Sequence, residues 1–113
     1  MTIVRDTLKR AELREMAARM FGNMVKAVVD IDRELVAVDA ELHADLEAIL
    51  LEDGSVQQSL WGINLYPELD GEDFVEFDSM INMRPSQGNR SRGVENATLR
   101  ATIVRVLERR VIR

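Results

Sequence analysis

Four stretches of the chain alternate apolar and polar residues, and this two-residue period constrains the fold more than any other feature. Such a period sends successive side chains to opposite faces of a β-sheet. In Met24–Ile31, Val25, Ala27, Val29 and Ile31 share one side, with Lys26, Val28 and Asp30 on the other. In Leu35–Leu42, Val36, Val38, Ala40 and Leu42 oppose Ala37, Asp39 and Glu41. Ser59–Tyr66 sets Trp61, Ile63 and Leu65 against Gly62, Asn64 and Tyr66. Phe74–Met83 sets Val75, Phe77, Ile81 and Met83 against Glu76, Asp78, Met80 and Asn82, with Arg84 next in line. The short break Asp32-Arg33-Glu34 makes the first two runs a hairpin, and the acidic PELDGED segment turns the last two. Strands buried on both faces read as apolar throughout. Alternation therefore predicts a sheet with one polar face left clear of helices.

Helical spacing occupies the remaining segments. From Thr7 to Phe21, Leu8, Leu13, Met16, Ala17 and Met20 fall on one side, and Gly22-Asn23 provides a stop. Asp45–Asp53 turns Leu46, Ile49 and Leu50 inward and ends at Gly54. Asn96 caps a last helix, Ala97 to about Val111, whose apolar arc is Leu99, Ile103, Val106, Leu107 and Val111. The ELHAD segment can extend the second strand, leaving Asp45 as helix cap, or can itself be helical; the first version is favoured. Ile3-Val4 is too short to assign, although it could add an edge strand. The order is thus α-β-β-α-β-β-α. The expected fold is a single α+β domain over residues 1–113, a four-stranded, mainly antiparallel sheet with helices packed on one face.

Composition excludes several classes. No cysteine is present, which removes disulfide frameworks and thiolate metal or redox sites. The apolar runs are too short to span a bilayer, and MTIVRDTLKR lacks the apolar region of a signal peptide. A cytoplasmic protein without membrane association is expected. The net charge of −5 is unevenly placed: residues 57–81 carry six acids and no base, whereas residues 82–113 carry eight arginines and two glutamates. The acidic middle and the basic end can compensate each other, within one chain or between copies as a homo-oligomer. Overall acidity argues against duplex DNA as a partner.

The polar sheet face collects the candidate chemistry. Lys26, Asn64, Asn82 and Arg84 converge there, and Gln87, Asn89 and Arg90 follow in an arginine-rich loop able to bind a small anionic ligand through forked donors. His43, the only histidine, is a candidate general base with Glu41 or Asp30. Glu41, His43 and Asp45 form a candidate site for a divalent metal. The competing reading is a solvated sheet face whose polar residues serve solubility. Asn and Asp nevertheless form strands poorly, which gives Asn64, Asn82 and Asp30 some other purpose. No GxSxG, GxGxxG or GxxxxGK[ST] pattern occurs.

At MVKAVVDID, ELHAD, LWGINLYPE and INMRPSQGNRS the chain resembles a family of small prokaryotic proteins known only as a domain of unknown function. The resemblance implies no activity. It directs attention to the polar residues within those motifs: Lys26, Asp30, Glu41, His43, Asp45, Asn64, Arg84, Gln87, Asn89 and Arg90. Three functional expectations stand side by side: a binding protein for an anionic or polar ligand, a small metal-assisted hydrolase or nuclease-like enzyme, and a protein–protein interaction module.

Overall fold

The computed structural model describes residues 1–113. In chain order its elements are β1 (Thr2–Val4), β2 (Leu8–Lys9), α1 (Arg10–Arg19), β3 (Val25–Asp30), β4 (Leu35–Val38), α2 (His43–Glu52), β5 (Leu60–Leu65), β6 (Val75–Glu76), α3 (Ala97–Arg110) and β7 (Val111–Ile112). The alternating runs supply an antiparallel sheet in the order β1-β4-β3-β5-β6, with Val28 of β3 opposite Ala37 of β4 and Gly62 of β5. The class is α+β, as the sequence predicts, although the sheet has five strands. Thr2–Val4 pairs with Val36–Val38 as an edge strand, and β2 and β7 form a separate two-stranded parallel pair.

The helices do not share one face. Val25, Ala27, Val29, Val36, Val38, Trp61, Ile63 and Leu65 pack with Leu13, Met16 and Ala17 of α1 and Ile103, Val106 and Leu107 of α3. On the opposite face Val28, Leu35, Ala37 and Leu60 pack against Leu46 and Leu50 of α2. Half of the supposed polar face is therefore core. The physical reason lies in its centre, where Val28, Ala37 and Gly62 are apolar or bare and a helix can approach closely. At Gly62 the segment after β6 covers the face as closely: a Cβ there would stand 2.5 Å from Ser79 Cβ and Oγ.

Two boundaries shift for local reasons. β4 ends at Val38 because Asp39 takes a left-handed backbone, φ 73°, which turns the chain out of the sheet. His43 then opens α2, with Leu42 at the cap position. ELHAD is helical only from His43, Glu41 and Leu42 lying outside both β4 and α2, and Asp45 sits in the first turn, where the helix dipole favours an acid, instead of capping it. The fourth run stays in the sheet only for Val75–Glu76. It then breaks into 3-10 turns at Met80–Asn82 and Pro85–Gln87. Asn96 caps α3 as expected, its side chain accepting from the Leu99 N–H at 3.0 Å.

Candidate functional site

The segment after β6 leaves the strand ladder but stays against the β5 edge, which it seals with side chains. Asn82 is fully buried, and its carboxamide pairs with Gly62 as a neighbouring strand would. Oδ1 accepts from the Gly62 N–H at 2.8 Å, while Nδ2 donates to the Gly62 carbonyl at 2.9 Å. Nδ2 also donates to the Arg92 carbonyl. Arg84 donates to the Leu60 and Ile81 carbonyls, and its guanidinium lies 4.7 Å from the Trp61 ring centroid. Asn89 donates to the carbonyls of Asn82, Ser91 and Gly93 and accepts from the Glu95 N–H. Arg84 and Asn89 exchange backbone hydrogen bonds at 2.7 and 3.1 Å, closing the intervening turn, which Gly88 completes at φ 80°. Asn82, Arg84 and Asn89 are thus engaged by the chain's own backbone.

The loop also carries its own anion. The Glu95 carboxylate accepts from the backbone N–H groups of Arg90 and Ser91 at 2.5 and 3.0 Å, and these bonds hold its pKa below the ordinary carboxylate value. Arg92 pairs with Asp78 at 2.6 Å. Arg84 Nη2 lies 3.6 Å from Glu47 Oε2, and burial lowers the pKa of its guanidinium despite that neighbour. Gln87 donates to the Gln58 carbonyl at 3.3 Å. Arg90 is exposed.

A second polar group gathers at the start of α2. His43 is buried, and its Nε2 lies 2.8 Å from the Ile63 carbonyl, which makes Nε2 the protonated nitrogen and Nδ1 the acceptor. Burial lowers its pKa, the Ile63 carbonyl opposes that, and the charges of Lys26, Asp78 and Arg92 act more weakly. Lys26 stands opposite Asn64 across β3 and β5, and Asn64 stands opposite Glu76. Asn64 Nδ2 and the Tyr66 hydroxyl both donate to Glu76 Oε1, at 2.8 and 3.0 Å. Lys26 and Asn64 therefore form a cross-strand pair, as strand parity suggests, and His43 reaches the neighbouring Ile63 carbonyl from α2. Arg84 is not among them: it serves the Leu60 end of β5, four residues and about 13 Å along the strand from Asn64.

The proposed catalytic and metal groupings do not assemble. Asp30 lies at the Leu60 end of the sheet, fully buried, and its carboxylate accepts from the Asp32 and Arg33 N–H groups and the Ser55 hydroxyl. It holds the β3–β4 turn, and its strand partner Leu60 lies three residues, about 10 Å, along β5 from the Ile63 carbonyl that His43 binds. Glu41 and Asp45 are exposed, while His43 turns inward to the sheet. Nowhere do three histidine, aspartate or glutamate side chains stand together as a metal site.

The feature that sequence reasoning missed is Trp61. It is 3 % exposed, and its indole N–H is buried without a hydrogen-bond partner. Trp61 lines a cleft of about 600 Å³ between the turn around Gln87-Gly88-Asn89 and the first turns of α3. The other walls come from Gln58, Asn96, Thr98 and Thr102, with Ile31 and Leu99 as apolar flanks. No lining residue carries a formal charge; the exposed Arg105 donates to the Thr102 hydroxyl at 3.2 Å. An indole on an inward-facing strand position needs an acceptor for its N–H, and that requirement was the available signal. A groove of about 660 Å³ between α3 and Phe74–Phe77 is larger and more apolar. Its cations are committed, Arg10 to the Pro67 and Leu69 carbonyls and Arg100 to those of Val94 and Glu95. No orphaned buried atom lies on that groove. Glu47 Oε2 also lacks a hydrogen bond, but it has the Arg84 cation 3.6 Å away. Asn64 Oδ1 is likewise unpaired but lies beside the Glu76 and Lys26 strand positions, away from the cleft; Trp61 is the unpaired group among the cleft's lining residues.

No helix is long and apolar enough to cross a membrane. No curated protein and no solved structure matches the chain. A family model described as a protein of unknown function, DUF5674, matches residues 2–110, the span holding the sheet, α1–α3 and the loop that closes the β5 edge. The chain belongs to the DUF5674 family.

Proposed function

We propose that the protein binds a small, neutral, hydrogen-bonding molecule in the cleft beside the Pro85–Gln87 turn. The observation that carries this reading is the orphaned Trp61 N–H. An unpaired buried donor costs about 1–3 kcal/mol, and a shift of the indole on binding that brings its N–H to a ligand acceptor would recover that cost. The volume of about 600 Å³ suits a small molecule, and Gln58 and Thr98 keep their side chains free of internal hydrogen bonds. The sequence pointed to an anionic or polar ligand. The polar alternative is favoured because Arg84 and Arg92 are spent internally and the Arg90-Ser91 amides already hold Glu95.

Trp61 is the only tryptophan, so its indole gives a single NMR cross-peak and a clean fluorescence signal. Titration with N-methylacetamide, methyl β-glucopyranoside and uridine is expected to move that cross-peak saturably for at least one neutral probe. An equal or larger response to inorganic phosphate would overturn the neutral-ligand reading. Silence from every probe would remove the cleft as a site.

A further inference from the structure

Resting on the cleft reading, we infer that its ligand is a nucleobase, presented free or on a nucleoside. Four of the ten lining residues carry carboxamides: Gln58, Gln87, Asn89 and Asn96. Asn89 is consumed by loop carbonyls, and Asn96 uses Oδ1 to cap α3, which leaves its Nδ2 free. The Gln58 carboxamide is free at both ends. A carboxamide offers a donor and an acceptor side by side, matching the adjacent acceptor and donor on a base edge. A shift of the Trp61 indole on binding would add its unpartnered N–H as a donor to an exocyclic carbonyl or ring nitrogen. Ile31 and Leu99 supply aliphatic walls for a planar ring. A sugar is less well served. Carbohydrate C–H groups favour an open aromatic face, whereas Trp61 is 3 % exposed and Arg84 lies 4.7 Å from its ring centroid.

The test is calorimetry, together with the Trp61 indole cross-peak, on the full chain with uracil, uridine, adenosine and methyl β-glucopyranoside. The expected result is saturable binding of nucleosides, none of the glucoside, and binding about tenfold weaker in Gln58→Ala. Gln58 is exposed and its side chain bonds nothing within the fold, so an unchanged melting temperature in this variant would assign the loss to the ligand contact. Uracil binding as well as uridine would place recognition on the base alone, whereas a requirement for the ribose adds the sugar to the site; both support the inference. Glucoside binding as tight as that of the nucleosides, or nucleoside binding indifferent to Gln58→Ala, would overturn the nucleobase assignment and leave the cleft intact. Absence of binding by any neutral probe, N-methylacetamide included, would overturn the cleft itself.

Discussion

Replacing Asn82 by alanine tests whether one side chain substitutes for a strand. Asn82 satisfies both main-chain groups of Gly62 and supplies one of the two donors to the Arg92 carbonyl, the other being the Ser79 N–H. The alanine variant leaves Gly62 N–H and C=O without partners in the buried interior. At about 1–3 kcal/mol for each orphaned group, the loss is about 2–6 kcal/mol. Against a total of about 5–15 kcal/mol for a domain, that is a large fraction. Urea unfolding followed by Trp61 fluorescence reads it as a lower midpoint at unchanged slope. A loss below about 1 kcal/mol at unchanged slope would refute the idea that this carboxamide closes the β5 edge.

Asn82→Asp separates hydrogen bonding from packing, because it keeps the shape and the acceptor to Gly62 N–H. It replaces the donor with an oxygen facing the Gly62 and Arg92 carbonyls, so the carboxyl must hold a proton to donate. Its folded pKa then rises above the unfolded value of about 3.9. Stability is fully present below that value and is lost as pH rises through the folded pKa. The alanine variant should lack this pH-dependent component, and the two profiles should cross in acid.

Gly62→Ala drives a methyl into Ser79 at 2.5 Å, and thermal unfolding should report a loss of about 1–3 kcal/mol. Burial keeps His43 neutral in the folded state, so below its ordinary value of 6.5 the unfolded chain takes up a proton that the folded chain refuses. Stability should therefore fall as pH drops from 6.5 to the depressed folded value, and His43→Phe should flatten that window in urea titrations. Glu95 has a lowered pKa because of the Arg90 and Ser91 N–H groups, so its contribution is present above the ordinary carboxylate range. That contribution is lost as pH falls through the lowered value, and Glu95→Gln should abolish it, with the carboxyl carbon shift of Glu95 locating the titration.

The strands were legible because alternation reflects a backbone period, and the α3 cap because Asn96 acts on a residue three positions away. The placement of α2 was hidden for the opposite reason. Val28, Ala37 and Gly62 lie on three different strands, and only their pairing makes a smooth apolar patch. Side-chain pairings across the chain were hidden too. An asparagine in an alternating run looks the same in sequence whether it binds a ligand, as expected of Asn82, or a glycine twenty residues away, as found. Parity brought Lys26 and Asn64 together correctly, and His43 joined them from a helix instead of from β4.

These internal commitments determine which substitutions can locate a binding site. Arg84 and Asn89 are the conspicuous residues of the loop, yet both are 9 % exposed or less and tied to main-chain carbonyls. Removing either loosens the turn that forms one wall of the Trp61 cleft, so binding would disappear whether or not the residue touches the ligand. Gln58 and Thr98 stand on the opposite footing: both are exposed, and neither side chain holds any part of the fold. A loss of binding in those variants at unchanged stability has only one physical source, a contact with the ligand. The residues least conspicuous in the sequence are thus the ones that decide whether the cleft is a site.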